Sequence, residues 1–250
     1  MINLALSLLS GILVFVGFYF GWLPVWWQAL PPALLVGVGA YVMLSRRTWK
    51  QLEAHIKHSL SVLEPMQNRP DIAQRTEQRN ALLDEAIKKL KESYKYASWQ
   101  FLVRSQVDAQ IGILLFSMKQ DINAAQPYLE NSFSRNWIAQ AMLGVVYMKK
   151  HKPEKMEETF EMAVRLNKKQ DLLWQTYAYC LQKIKQRDKA IEVLGRACKV
   201  LPNNNQLTNN LVALQNKKKM KMKQYGEQWY QFGLEKPQQQ KTMKPRFSRR

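Results

Sequence analysis

The chain opens on two apolar runs. Residues 2–21 (INLALSLLSGILVFVGFYFG) hold no charged side chain, and a second run covers 33–45 (ALLVGVGAYVMLS). Twenty residues of helix reach about 30 Å, the thickness of bilayer hydrocarbon. The second run attains that length only if its helix begins near Trp26 or Trp27. Pro31 and Pro32 then fall in the first turns, where a missing N–H donor matters least. Trp22, Trp26 and Trp27 lie in the joining stretch, the composition of an aromatic belt at a membrane–water boundary. The pattern predicts a transmembrane helical hairpin over 1–45. The competing readings are a cleaved signal peptide and a single span with a buried or re-entrant second segment. Against the signal peptide, no Lys or Arg precedes the first apolar run.

From residue 46 the pattern takes on a helical period. Trp49, Leu52, Ile56, Leu60 and Leu63 recur at steps of three and four and share one helix face. They predict a helix that carries the second run onward and is ended by Pro65 and Pro70. Asp71 is the expected N-cap of the next helix, whose apolar positions include Leu83, Ala86, Ile87, Leu90, Tyr94 and Ala97. These juxtamembrane helices occupy 46–104. No stretch alternates apolar and polar residues between hairpin turns, so the expected fold class is all-α.

A 34-residue self-similarity follows. In 171–204, Trp174, Tyr177, Ala178, Leu181, Ala190, Leu194, Ala197 and Pro202 fall at positions 4, 7, 8, 11, 20, 24, 27 and 32 of the unit. This resembles a tetratricopeptide repeat (TPR), a helix–turn–helix unit. One period upstream, 137–170 keeps Leu143, Gly144, Tyr147, Phe160 and Ala163, and departs at Gln140, Met156 and Lys168. An earlier copy over 105–136 runs two residues short. It keeps Ile111, Gly112, Leu115, Ala124 and Tyr128 and departs at Asn131. Leu207, Leu211, Val212 and Leu214 form a final capping helix. The resemblance implies a TPR-like α-solenoid over 105–216. In it Gly144, Ala178, Ala190 and Ala197 permit close helix contacts, and Trp174, Tyr177, Tyr147 and Phe160 fill the space between layers.

The resemblance also implies a concave binding face. Its lining would be Ala109, Ile113 and Phe116, then Ala141, Val145, Met148 and Lys149, then Leu172, Gln175, Tyr179, Gln182 and Lys183, with Asn209 on the last helix. That mixture suits an extended or helical peptide from a protein partner. The dense Lys/Asn set with which such domains clamp a C-terminal carboxylate is missing; Asn209 and Lys183 are fragments of one.

Charge sharpens the picture. Residues 1–45 carry no charged side chain, while the rest of the chain holds 38 Lys and Arg against 19 Asp and Glu. Arg46, Arg47 and Lys50 directly follow the second run, and the positive-inside rule places both termini in the cytoplasm. Residues 217–250 hold eleven cations and two glutamates with no apolar period, the composition of a basic, mostly disordered tail. Its Lys and Arg, interleaved with Trp229, Tyr230 and Phe247, suit an anionic lipid surface or, through aromatic stacking, RNA; a merely solubilising tail is the third reading.

Chemistry is sparse. His55 and His58 stand at i and i+3, but Glu53 and Glu64 do not complete a metal set, so a solvated polar face is expected. Cys180 and Cys198 are expected as buried thiols in a reducing compartment, and His151 as a solvated turn residue. No glycine-rich phosphate loop, cofactor motif or catalytic constellation is present. The expected function is therefore non-catalytic: a membrane-anchored scaffold or adaptor that binds a protein partner at the cytoplasmic face. A tether for RNA or ribosomes through the basic tail is the alternative. The expected setting is a bacterial inner membrane, with an organelle membrane as the other.

Overall fold

Residues 1–21, 26–69 and 75–236 are described by a computed structural model, and all regular structure among them is helical. The first apolar run forms α1 (Ile2–Gly21). A 3₁₀ turn at Trp26–Ala29 leads into α2 (Leu30–Ser61), which has its prolines in the first turn. The two helices are antiparallel. Asn3 meets Thr48 at one end, and Gly11 lies against Ala33 and Gly37. A Cβ on Gly11 would stand 3.2 Å from the Ala33 carbonyl oxygen, so the two backbones approach as closely as small residues allow. Leu13, Leu35 and Met43 on the outer surface are exposed. Both helices are long and apolar enough to cross a membrane.

Beyond Ser45 the same α2 helix becomes amphipathic. Leu52 is buried in the main core, and Trp49, Ile56 and Leu60 pack against it. The helix stops at Ser61, ahead of Pro65, which instead opens the short α3 (Glu64–Asn68). A proline is better placed in a first turn, where its missing N–H costs nothing, than as a terminator four residues downstream. The expected roles of Trp22, Pro70 and Asp71 lie outside the described residues.

Among the described residues, eight further α-helices, interrupted by short turns, run to Gln215, and a ninth lies in the segment after them. They begin with α4 (Thr76–Glu92), which runs into a 3₁₀ segment at Ser93–Ser98. Next are α5 (Val103–Leu114), extended by a π turn at Leu115–Lys119, and α6 (Ile122–Glu130). The regular pairs are α7 (Trp137–Lys149) with α8 (Pro153–Leu166) and α9 (Asp171–Lys183) with α10 (Arg187–Val200), followed by α11 (Asn205–Gln215). The N-caps Asn136, Gln170 and Asn204 are spaced by 34 residues, and so are the left-handed turn residues His151 and Lys185. Consecutive helices pack in pairs, and α7 also packs on α9.

Local chemistry explains the close pairs. A Cβ on Gly144 would come within 2.3 Å of the Phe160 ring, so only glycine leaves room for it. Gly112 and Leu129 repeat the arrangement one pair earlier. Phe160 stacks on Tyr177 with ring centroids 4.9 Å apart, joining α8 to α9. Trp174 is buried and donates from its indole nitrogen to the Lys168 carbonyl at 3.0 Å. Ala190 and Ala197 are fully buried.

The segment after α11 departs from the expected disordered tail. Residues 217–236 turn back over the stack through a 3₁₀ turn (Lys223–Tyr225) and α12 (Glu227–Tyr230). Met220, Met222, Trp229 and Phe232 are buried in the same core as the helix pairs. The physical reason is that four large apolar groups find a groove made far upstream, while the intervening lysines stay in water. Residues 237–250, with Phe247, lie outside the described part.

Candidate functional site

Several residues of the lining expected from the sequence, Lys149, Gln175, Tyr179 and Gln182, meet the chain's own C-terminal segment. Phe116, Val145, Gln175 and Tyr179 are buried, and so are Ala109, Ala141 and Leu172. Ile113, Met148 and Gln182 are half-buried at the edges. Lys149, Lys183 and Asn209 are exposed.

Several polar groups of that lining, together with Asp171, meet groups of 217–236. The Tyr179 hydroxyl donates to Glu235 at 2.9 Å, and the Trp229 indole donates to the other oxygen of the same carboxylate at 2.9 Å. The Trp229 ring sits edge-on to Tyr179 at 4.8 Å. Tyr225 donates to Asp171 at 2.7 Å and accepts from Gln175. Gln182 donates to the Lys218 carbonyl at 3.4 Å. A Cβ on Gly233 would stand 3.3 Å from the Lys149 ammonium, which also lies over the Phe116 ring. Burial, followed by the bond to Glu235, pushes the Tyr179 hydroxyl above its ordinary range. Tyr225 is raised in the same way, by burial and then by Asp171.

Asn209 is not the groove residue of the last helix. Its neighbour Asn210 is, buried and bonded to Gln175. Asn210 accepts from the Lys221 backbone N–H at 2.8 Å and donates to the Lys221 carbonyl at 3.3 Å, the paired contact made to an extended peptide. The chain reverses directly after α11, so the side of the helix that carries residue 210 faces the returning strand of backbone. Sequence reasoning also passed over Asp171, Tyr225 and Glu235. A signal for them existed: Met220 and Met222 alternate, and Trp229 and Phe232 stand at i and i+3 between Gly226 and Gly233.

The outer side carries a second depression of about 810 Å³, lined by Tyr147, Glu158, Met162, Arg165, Trp174 and Arg196 among others. Arg196 lies over Trp174 at 5.7 Å and pairs with Glu161, which also accepts from Tyr177 at 3.1 Å. The Arg196 bond holds the Glu161 carboxyl below its ordinary value.

His55 is not on a solvated face as expected. It is half-buried, its Nδ1 lies 3.0 Å from the Ser93 hydroxyl, and its ring meets Tyr96 edge-on. Burial, then the Lys95 charge, lowers its pKa. His58 is exposed. Among the described residues no three His, Cys, Asp or Glu side chains gather as a metal set. Cys180 is buried, which pushes its thiol up, and Cys198 is half-buried.

Among the described residues, the stacking aromatics named for RNA are covered: Trp229 is fully buried and Tyr230 half-buried. Lys217, Lys218, Lys219, Lys221 and Lys223 are exposed. The arrangement is suited to holding a chain segment. No protein-family model, curated protein or solved structure matches this chain.

Proposed function

We propose that this protein is a non-catalytic, membrane-anchored adaptor of tetratricopeptide type that holds a protein partner at the cytoplasmic face of a membrane, the bacterial inner membrane being the favoured one. The observation that carries the reading is the unbroken α2. One 32-residue helix begins in an apolar run and ends with Leu52 in the core of the helix pairs. α2 packs on α4 and on the 3₁₀ segment that follows it, and a domain held in that way keeps a fixed height and orientation over the bilayer, which is what a scaffold needs and a mobile tethered domain lacks. The 34-residue spacing of helix starts at Trp137, Asp171 and Asn205 supports the repeat resemblance.

The groove supports peptide recognition because a peptide-like segment already lies in it. A partner reaches this face at the positions that Lys149, Lys183 and Asn209 leave exposed. The test is photo-cross-linking in native membranes from full-length protein carrying a photoreactive residue at Lys183, Asn209 or Glu154. The reading expects the same protein to be captured from positions 183 and 209 and not from 154. Capture of ribosomal proteins and RNA from all three positions would replace it with the tether.

A further inference from the structure

The turn between the 3₁₀ segment and α5 is an unusual surface. Trp99, Phe101 and Leu102 fall within four consecutive residues and are 41%, 44% and 49% exposed. Leu102 has φ of 65°, a left-handed conformation uncommon for a bulky residue. The turn is nevertheless held firmly. The Met1 amino group donates to the Ser98 carbonyl, and the Asn3 backbone N–H donates to the Trp99 carbonyl at 3.2 Å. Between the exposed residues Gln100 is buried; it accepts from the Asn3 amide at 3.2 Å and donates to the Tyr41 hydroxyl at 3.3 Å.

These contacts fix the height of the turn along the hairpin. It lies beside the first turn of α1 and beside residues 41–48 of α2, where exposed Val42 and Met43 give way to exposed Arg46 and Arg47. That is the level at which an apolar belt meets a charged boundary. Arg47 borders the same pocket as Trp99, and exposed Lys95 and Arg104 stand on either side of the turn in the chain.

We infer that Trp99, Phe101 and Leu102 insert into the cytoplasmic interface of the bilayer that α1 and α2 cross, and that this third contact orients the helical stack on the membrane. The inference rests on the membrane reading of α1 and α2. The occupant is the lipid surface, because the patch is continuous with the apolar belt of the hairpin and is bordered by cations that suit anionic head groups. Indole and phenyl rings at head-group depth match the preference of aromatic side chains for that zone.

The test uses full-length protein with Cys180→Ala and Cys198→Ser, reconstituted in vesicles of phosphatidylethanolamine and phosphatidylglycerol. An environment-sensitive fluorophore is attached through Phe101→Cys, with Leu102→Cys as a second position in the turn. Leu13→Cys reports the span and Lys219→Cys the stack. Quenching is read with aqueous iodide, present on both sides of the bilayer, and with lipids spin-labelled at shallow or deep positions. The expected result is strong shallow-lipid quenching at 101 and 102, with iodide quenching several-fold weaker than at 219, and deep-lipid quenching at 13. Iodide reaching 101 and 102 as readily as 219, with 13 still in the hydrocarbon, overturns the interfacial contact alone. Iodide reaching 13 overturns the membrane reading and the contact with it.

Discussion

The Tyr179 hydroxyl and Glu235 are joined by a 2.9 Å hydrogen bond across 56 residues of chain. The same carboxylate accepts from the Trp229 indole, so one acidic group ties the groove wall to the segment lying in it. Residues 217–236 are thus part of the core rather than an appendage, and removing them should destabilise the fold. Trp229→Ala is expected to cost about 3–5 kcal/mol as a truncation of a fully buried aromatic. Denaturant unfolding of the full chain in detergent micelles checks this. A Trp229→Ala variant that unfolds with the parent would mean that the segment is not packed as described.

A pair of glycine substitutions separates packing from propensity. Gly144→Ala should destabilise by about 1–3 kcal/mol, because its Cβ overlaps the Phe160 ring in a packed core. Gly195→Ala, in the middle of α10 with open space around it, should stabilise by about 0.5–1 kcal/mol through helix propensity alone. Opposite shifts in thermal midpoint are the expected outcome; equal shifts would contradict the Gly144–Phe160 contact.

Glu161 supplies a pH signature. Its folded-state pKa lies below the usual 4.5, first through the Arg196 hydrogen bond. A depressed carboxylate contributes stability above its unfolded pKa and loses it as pH falls through the folded value. The stability gap between the parent and Glu161→Gln should therefore be constant near neutrality and close on acidification below about pH 4.5. In an Arg196→Met background the same comparison should show a weaker dependence on pH. Denaturation series at several pH values decide it, and a gap that widens on acidification would reverse the assigned sign.

Much of the helical frame was legible because it is local and periodic. The helix starts at Trp137, Asp171 and Asn205 repeat with the 34-residue step, and α2 follows from the spacing of Trp49, Leu52, Ile56 and Leu60. The occupied groove was not legible. Met220 and Met222 sit among lysines, and Trp229 and Phe232 belong to no sustained period, so their burial depends on a surface built by residues such as Tyr179 and Gln175 far upstream. The Asn209 and Asn210 exchange has the same origin, since only the reversal of the chain after α11 decides which side of that helix is covered. His55 was misplaced because Ser93 and Tyr96 reach it from a different element.

The hairpin contact is open to a matched test. A Cβ on Gly37 would lie 3.4 Å from the Ser7 carbonyl oxygen and 3.6 Å from Gly11 Cα, while one on Gly39 meets nothing. Gly37→Leu should push α1 from α2 and cost about 1–3 kcal/mol, whereas Gly39→Leu should be close to neutral. Unfolding in a denaturing detergent series compares the two, and equal behaviour would contradict the close approach.

Cysteine accessibility in intact cells tests most directly whether α1 and α2 both cross the membrane with the helical stack on the cytoplasmic side. In full-length protein with Cys180→Ala and Cys198→Ser, Trp27→Cys lies in the exposed turn between α1 and α2, and Lys219→Cys lies on the exposed surface of the stack. A membrane-impermeant maleimide should label position 27 from outside and should label position 219 only after the cells are permeabilised. Labelling of position 219 in intact cells, with position 27 protected, would contradict the placement.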